Sequence, residues 1–245
     1  MATYLVTGAS RGLGLELAAQ LAASPPTEVS LVFTTSRNIS AQGLAGLLDP
    51  SDPESLRAAV ALVDDYLRGR GLDVLINNAG VQPITPGEIE MADDLTEVFH
   101  TNVTLTHLVI RAFLPLLRQE SRRVITNIFS TLGSVTLSRQ FLRSPAHAYK
   151  ISKAAMNMMT VQYALQYADD GFTVFAVSPG HPPRWLRTDM GGQYANLPVE
   201  TGAEQVLEYV KNGKKELNGR FLNIHAPGWE DAPGPNQYPG GDAPW

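Results

Sequence analysis

The sequence of 245 residues contains no cysteine. This absence excludes disulfide bonds, thiolate metal ligands and a cysteine nucleophile, and it leaves the redox compartment undetermined. The five histidines show none of the spacings that are typical of a metal site. We therefore expect no bound metal.

The sequence also lacks an excess of positive charge and a long apolar run. It carries 24 acidic and 19 basic residues, a net charge of −5, which gives no field to attract nucleic acid or an anionic membrane. It has no run of about 20 apolar residues, the length that spans a bilayer. Since the chain opens directly into a predicted strand, without a signal-like leader, we expect a cytoplasmic location and neither a membrane nor a nucleic-acid partner.

Short apolar runs alternate with helix-like segments along the chain. Because parallel strands are buried on both faces, they read as continuous apolar runs, and alternation with helices is typical of a parallel sheet. No polar linker divides the chain, so the pattern predicts one α/β domain with a parallel sheet. The predicted strands lie at residues 4–6, 29–34, 74–76, 124–128, 173–177 and 221–224.

Four helices are predicted from apolar spacing and from helix-start and helix-stop signals. The second should begin near Ser51, which is suited to cap it, with Pro53 in its first turn and Glu54 closing a capping box. The third is expected to bend or end near Pro115. The four predicted helices span residues 12–23, 53–68, 93–117 and 149–167.

Three glycines, Gly8, Gly12 and Gly14, follow the first predicted strand and open the first predicted helix. A dinucleotide pyrophosphate needs close backbone approach and free N–H groups at a helix N-terminus. The spacing G-x-x-x-G-x-G departs from G-x-G-x-x-G, and a glycine turn alone also occurs in ordinary tight connections. Its position directly after the first strand favours a cofactor site, with Ser10 and Leu13 as further contacts.

The residues after the second predicted strand distinguish NAD from NADP. Sites that prefer NAD place an acidic side chain there, and sites that prefer NADP provide an arginine. No acidic residue occurs between Glu28 and Asp49, whereas Arg37 follows the strand and Arg11 lies in the glycine turn. Because guanidinium groups are suited to a 2′-phosphate, the expected cofactor is NADP (NADPH).

Tyr149 and Lys153 are four residues apart and therefore share one face of a helix. An unperturbed tyrosine has a pKa of about 10, and a nearby ammonium lowers that pKa by stabilising the phenolate. Such pairs also occur on solvated helix faces. A functional site is favoured here because the glycine turn, Asn77–Gly80 and Ser130 each follow a predicted strand, and parallel strands end at one edge of their sheet.

The sequence resembles the short-chain dehydrogenase/reductase family over about residues 1–190. Six elements carry the resemblance in the family's order. They are Thr7, Gly8, Gly12 and Gly14 of the glycine motif; Asn77-Asn78-Ala79-Gly80; Asn102; Ser130; Tyr149 with Lys153; and Pro179-Gly180 followed by Thr188. Within the family, Thr188–Gly192 and Pro244-Trp245 are similar to the sniffer-like carbonyl reductases and the bacterial C-factor proteins.

The resemblance implies a single doubly wound Rossmann-type domain over residues 1–245, with a Pro/Gly-rich tail at 226–245. It implies hydride transfer between NADP(H) and a carbonyl or alcohol, with Tyr149 as the general acid or base. Ser130 would hold the substrate oxygen, Lys153 would lower the phenol pKa and bind the nicotinamide ribose, and Asn102 would anchor a water molecule.

The family also implies further cofactor contacts and a homo-oligomer. The oligomer, a dimer or a tetramer, would form through the helices predicted at 93–117 and 149–167. The further cofactor contacts are Asn78, Ala79, Gly80, Pro179, Gly180, Thr188 and, at the adenine, Asp49.

Two segments depart from the family's pattern. Residues 38–48 are too few for a complete helix and a third strand, since a parallel crossover normally needs a dozen or more residues. We therefore expect both to be abbreviated. His181–Arg184 lengthen the connection between Gly180 and Thr188, which puts the contact of Thr188 with the nicotinamide in question.

An apolar wall for the substrate is also predicted, because the loop between Gly133 and Tyr149 is longer than in the family. The residues of this wall would be Phe141, Leu142, Trp185 and Tyr194.

Two other functions stay open at this point. A lyase, isomerase or cyclase would use the Tyr149 acid without net redox chemistry, because a fold does not fix a function. A non-catalytic NADP-binding protein is suggested by the short segment 38–48, although the intact Ser130, Tyr149 and Lys153 argue against it. The sequence identifies neither the substrate nor the direction of the reaction.

Overall fold

The computed structural model describes residues 1–36, 45–47, 49–180, 186–192, 195–231 and 237–245. Several predicted features lie outside these ranges. They are the cofactor contact at Arg37, the lengthened segment His181–Arg184, and the wall residues Trp185 and Tyr194.

Within the described ranges, seven parallel strands form one sheet, in the order β3-β2-β1-β4-β5-β6-β7. All residues of β1, β4, β5 and β6 are buried, which is why these strands read as continuous apolar runs. The predicted α/β fold with a parallel sheet is confirmed. The strands are β1 (Ala2–Val6), β2 (Val29–Ser36), β3 (Ala45–Leu47), β4 (Val74–Asn77), β5 (Val124–Ile128), β6 (Thr173–Ser178) and β7 (Phe221–Asn223).

The strand order reverses between β1 and its neighbour β4. Because the chain runs outward from β1 to β3 and then returns to β4, a crevice opens at the carboxyl ends of these two strands, where ligands bind in open α/β sheets. The described part of the third strand has three residues and pairs with β2 through Thr34–Ser36. The prediction of an abbreviated third strand is confirmed.

Helices cover both faces of the sheet. On one face, Leu17 and Leu21 of the first helix share a buried cluster with Val206 and Val210 of the last. The other face is covered by α2, α4 and α5. The helices are α1 (Gly12–Ala22), α2 (Pro53–Leu67), α3 (Leu95–Phe99), α4 (Leu105–Arg118), α5 (His147–Gln166) and α6 (Val199–Asn212).

Sequence reasoning missed α6, although Val199, Ala203, Val206 and Val210 follow the spacing of one helix face. Among the helices formed by the described residues, none is long and apolar enough to cross a bilayer. The predicted cytoplasmic location stays a prediction.

The predicted cap of α2 is wrong. Asp52, not Ser51, caps α2: its carboxylate accepts hydrogen bonds from the backbone N–H groups of Glu54 at 3.0 Å and Ser55 at 3.1 Å. The Ser51 hydroxyl instead donates to Asp49. The helix that contains Pro115 continues to Arg118, one residue past its predicted end at residue 117.

Residues 237–245 return along the edge strand β7 in antiparallel orientation. The N–H of Asn223 donates to the carbonyl of Gly241 at 2.9 Å, and the N–H of Ala243 donates to the carbonyl of Phe221 at 2.8 Å. The Arg220 guanidinium donates to both carboxylate oxygens of Asp242, at 2.7 and 2.8 Å. This part of the Pro/Gly-rich tail wraps the sheet edge and pairs with it.

Candidate active site

A cleft of about 1300 Å³ lies at the carboxyl ends of β1, β4, β5 and β6. This volume exceeds the roughly 300–1,000 Å³ of ordinary small-ligand pockets, so the cleft has room for a long cofactor and a substrate. The predicted site residues that line it are Gly8, Ser10, Arg11, Gly12, Leu13, Gly14, Asp49, Asn78, Ala79, Gly80, Ser130, Tyr149, Lys153, Pro179, Gly180 and Thr188.

The glycine turn after β1 is tied to the end of β4. The Asn78 side-chain amide donates to the carbonyls of Thr7 at 3.0 Å and Gly8 at 3.1 Å, and the Thr7 hydroxyl accepts from the N–H of Ala79 at 3.1 Å. Gly8 has φ +67°, and a Cβ there would lie 2.8 Å from the Cα of Ala79. The turn therefore needs glycine for both its backbone angle and its closeness to β4.

The N-terminus of α1 opens onto this cleft and fits a pyrophosphate. Arg11 occupies the N-cap position and makes no side-chain capping hydrogen bond within the described part of the chain. The first N–H groups of a helix have no intrahelical acceptor and carry partial positive charge, so they bind phosphate. Thr188 lies across the cleft from the glycine turn. A Cβ at Gly12 would approach the Thr188 methyl group to 3.4 Å and would narrow the passage between the glycine turn and Thr188.

The side chain of Arg11 crosses this passage. Its guanidinium pairs with the Asp189 carboxylate at 2.8 Å, and both side chains are about three-quarters exposed. Ion pairs with this exposure contribute only about 0–1 kcal/mol, so the pair does not commit Arg11 to Asp189. The guanidinium is therefore available to a phosphate that enters the cleft.

Asp49 stands at the far end of the cleft, before α2. Its carboxylate accepts hydrogen bonds from the backbone N–H of Ser51 at 2.9 Å and from the Ser51 hydroxyl at 2.6 Å. Asp49 is exposed and borders the cleft. This position is compatible with the predicted adenine contact.

Tyr149 lies in the first turn of α5 and is 6% exposed. It packs in a small apolar cluster with Leu132, Phe141 and Ala146. Burial raises the pKa of the Tyr149 phenol above its ordinary value, and a hydrogen bond with Ser130 opposes this shift in part. The net shift of this pKa is therefore upward, opposite to the predicted lowering, because burial is its largest cause.

Lys153 follows one helical turn later, with its side chain buried. Its ammonium donates to the carbonyl of Ile128 at 3.0 Å and lies 5.5 Å from the ring centroid of Phe129 and 5.6 Å from that of Tyr149. Burial lowers the pKa of Lys153 to about 8. A carbonyl and two aromatic rings stabilise the cation, but they do not replace the water that it has lost.

Ser130 follows β5 and begins a short 3₁₀ turn, Thr131–Gly133. Its hydroxyl oxygen accepts a hydrogen bond from the N–H of Leu132 at 3.2 Å, which leaves the hydroxyl hydrogen for its hydrogen bond with Tyr149. A Cβ at Gly133 would lie 2.6 Å from the Cβ of Lys153. Glycine at this position lets α5 approach the turn, and this approach brings Ser130, Tyr149 and Lys153 together.

Among the described residues, Asn102 is the predicted site residue that does not border the cleft. It is fully buried in a π-helical turn, His100–Thr104. Its amide oxygen accepts from the N–H of Val81 at 2.8 Å, and its amide nitrogen donates to the carbonyl of Val81 and the hydroxyl of Ser152, both at 3.0 Å. The side chain connects the β4 loop to α5, and its role as a water anchor stays a prediction.

Sequence reasoning missed Ser152 and Asp189. The Ser152 hydroxyl donates to the carbonyl of Tyr149 at 2.8 Å and so links Asn102 to the first turn of α5. Its place three residues after Tyr149 was the available signal. No local sequence signal indicates Asp189, because its ion-pair partner Arg11 lies 178 residues away in the sequence.

The predicted apolar substrate wall is not formed by Phe141 and Leu142. Neither residue is among those that line the cleft. Phe141 is turned inward, against Tyr149, and Leu142 is 81% exposed. The loop that carries Phe141 therefore packs against Tyr149 and does not line the cleft.

Comparison with known proteins agrees with this geometry. The sequence profile of the family described as short chain dehydrogenase matches residues 2–195. The chain is 35% identical over 262 residues to the short-chain dehydrogenase/reductase AacuF of Aspergillus aculeatus, and the match covers 92% of this chain and 97% of that protein.

Two solved structures are similar to the whole chain or nearly so. An NADPH-bound carbonyl reductase from chicken fatty liver has a TM-score of 0.81 and 33% identity, covering 91% of this chain and 96% of that one. The carbonyl reductase Sniffer of D. melanogaster has a TM-score of 0.81 and 26% identity, with complete coverage of both chains. The resemblance expected from the sequence motifs is thus confirmed.

Proposed function

The chain belongs to the short-chain dehydrogenase family, and on this premise we propose that it is an NADP(H)-dependent oxidoreductase that reduces the carbonyl group of a small ketone or aldehyde. One observation carries the proposal. Ser130, Tyr149 and Lys153 converge at a cleft whose other end is the N-terminus of α1. The NADPH-bound carbonyl reductase that is similar to this chain supports the choice of cofactor.

The residues of the glycine turn would hold the cofactor. The N–H groups at the start of α1 would bind the pyrophosphate, and Arg11 would bind the 2′-phosphate in exchange for Asp189. Asp49 would contact the adenine. Asn78, Ala79, Gly80, Pro179, Gly180 and Thr188 would border the rest of the cofactor, as the family resemblance implies.

Two residues of the chain act on the substrate oxygen: one donates the proton and the other stabilises the developing charge. Bound NADPH supplies the hydride. The Tyr149 phenol donates its proton to the carbonyl oxygen as that oxygen gains charge, which is general acid catalysis. The Ser130 hydroxyl donates a hydrogen bond to the same oxygen and stabilises the developing charge.

Lys153 and Asn102 support the acid. The Lys153 cation lies near the phenol ring and would stabilise the phenolate that remains after proton transfer. Asn102, through Ser152, holds the turn of α5 that carries Tyr149. Lys153 thus acts on the charge of the phenolate, and Asn102 acts on the position of the phenol. Neither role requires contact with the substrate.

A homo-oligomer is proposed as well. Leu95 and Phe99 of α3 and Ile151, Met158 and Leu165 of α5 are exposed apolar side chains on helices that the family uses for assembly. Covering such side chains removes apolar area from water and stabilises an association. Sedimentation velocity would report a dimer or a tetramer if this is correct and a monomer if it is not.

The function is tested by following NADPH absorbance with a panel of ketones and aldehydes. Turnover of at least one carbonyl, with product alcohol formed in equal amount to the NADPH consumed, supports the proposal. Conversion of a substrate without NADPH consumption would instead support a lyase, isomerase or cyclase. Tight NADPH binding without turnover of any carbonyl would support a non-catalytic binding protein.

A further inference from the structure

The ring of Trp245 is connected to the catalytic residue Lys153 through two other aromatic rings. It packs on Phe221 with a centroid separation of 5.3 Å, and Phe221 packs edge-on against Phe129 at 5.1 Å. Phe129 directly precedes Ser130 and provides the ring that lies 5.5 Å from the Lys153 ammonium. Three rings in contact thus connect residue 245 with the buried cation.

The backbone of Trp245 makes a second, independent contact with the same region. Its carbonyl accepts hydrogen bonds from the N–H of Thr136 at 3.1 Å and from the Thr136 hydroxyl at 2.8 Å. Thr136 lies in the loop that runs from Ser130 to Phe141, and Phe141 packs behind Tyr149. Trp245 therefore contacts both the ring under the lysine and the loop behind the tyrosine.

Trp245 is itself 36% exposed, whereas the two rings that link it to Lys153 are buried. Phe129 and Phe221 are 3% and 1% exposed, and both belong to one buried cluster with Met156 and Ala243. The backbone pairing of Ala243 with Phe221 sets the distance of the indole from the sheet. Because interiors are close-packed, a displacement at one ring is passed to the next.

We propose that Trp245 is a positioning residue for carbonyl reduction, a role that rests on the proposed function. Through Phe221 and Phe129 it holds the aromatic face beneath Lys153, and through Thr136 it holds the loop that supports Tyr149. Removing the indole would let Phe221 and then Phe129 move into the space. The cation would then lose its aromatic neighbour while the cofactor cleft at the glycine turn stays unchanged.

The test compares Trp245→Ala with a matched variant of a second tryptophan of the tail. Trp229 packs against Tyr238 with centroids 6.3 Å apart and against the core cluster on the α1 and α6 side, so Trp229→Ala also removes an indole. We expect Trp245→Ala to lower kcat by about tenfold or more, with KM and the Kd for NADPH within about twofold of wild type. Trp229→Ala should keep kcat within about twofold of wild type.

Two further variants protect the test from a folding artefact. Trp245→Phe keeps a ring against Phe221 and should recover most of the lost kcat. Thr136→Val removes only the hydroxyl donor to the Trp245 carbonyl and should lower kcat without changing NADPH affinity. Equal losses of kcat in Trp245→Ala and Trp229→Ala, or a loss confined to KM, would overturn the proposal.

Hydrogen–deuterium exchange gives a result that does not depend on turnover. Backbone amides of residues 129–141 should exchange faster in Trp245→Ala than in wild type or Trp229→Ala, because the ring contact that braces the loop is lost. Unchanged exchange in this segment would overturn the positioning role. If wild type reduces no carbonyl at all, the proposed function fails, whereas the exchange measurement still decides whether Trp245 holds this loop.

Discussion

The ammonium nitrogen of Lys153 lies 5.6 Å from the centroid of the Tyr149 ring, and both side chains are buried. Burial raises the pKa of the phenol and lowers that of the ammonium to about 8, because a buried group favours its neutral form. The phenol is therefore protonated at neutral pH. This is the state that a general acid needs for carbonyl reduction.

The pH dependence of the reaction follows from this protonation state. The kcat for carbonyl reduction should be flat from about pH 6 to about pH 7 and fall as the pH rises through about 8, where Lys153 loses its charge while the phenol stays protonated. Oxidation of the alcohol needs the phenolate and should rise with pH over the same range. Steady-state rates in both directions check this, and a reduction rate that increases with pH would contradict it.

Replacing Lys153 separates its catalytic role from its effect on stability. The folded pKa is about 8 and the ordinary value is 10.5, so between these values the unfolded chain binds more protons and the free energy of unfolding rises with pH. Below about pH 8 the buried charge lowers stability by a constant amount. Lys153→Met removes that charge and should be inactive, yet unfold at the same temperature as wild type or a higher one near pH 7.

Urea unfolding near pH 7 and near pH 9.5 measures this effect. The stability advantage of Lys153→Met should shrink at the higher pH, because wild type then keeps an uncharged lysine. Lys215→Met, which changes an exposed lysine, serves as the control and should show no such trend. A difference between Lys153→Met and wild type that stays constant over this range would count against a lowered pKa.

Arg11 should determine the preference for NADPH. Arg11→Ala removes charge-assisted hydrogen bonds to the 2′-phosphate and should weaken NADPH binding by about tenfold or more, while NADH binding is nearly unchanged. Asp189→Asn removes the competing carboxylate and should strengthen NADPH binding at low salt. Fluorescence titration with both cofactors measures these changes, and an equal loss for NADPH and NADH in Arg11→Ala would exclude a phosphate contact.

Gly8 should be intolerant of any side chain, because a Cβ would lie 2.8 Å from the Cα of Ala79. Gly69→Ala is the matched control: Gly69 also has a positive φ, +81°, but a Cβ there would meet no atom of the described residues within 4 Å. Both variants carry the penalty of about 1–2 kcal/mol for an L-residue in the left-handed conformation, and only Gly8→Ala adds a clash. Thermal unfolding and NADPH titration should therefore show a larger loss for Gly8→Ala on both measures, and equal losses would argue against close packing at this turn.

The sheet and the position of the site were predictable from local sequence. Buried parallel strands leave continuous apolar runs, and a glycine turn, Ser130 and the Tyr149–Lys153 pair all follow strands or begin helices. Because parallel strands end at one edge, these residues had to meet there. Their order along the chain was sufficient to predict the cleft.

Features that depend on distant partners were not predictable in this way. The Arg11–Asp189 pair and the Trp245–Phe221–Phe129 contacts join segments far apart in sequence, and no local pattern records them. The predicted direction of the shift in the phenol pKa was wrong, because helix spacing shows that a lysine is near but not how deeply both groups are buried. Ser51 and Asp52 are both good capping residues, and only the backbone geometry selects Asp52.

The most direct test of the central claim, that Tyr149 is the proton donor for a hydride transfer, is a single-turnover measurement with NADPH deuterated at the transferring position. Wild type should place deuterium on the carbonyl carbon of the product. Tyr149→Phe should bind NADPH with a Kd within about twofold of wild type and transfer hydride at least about a hundredfold more slowly, as expected for loss of a general acid. Transfer at the wild-type rate in Tyr149→Phe would contradict the account.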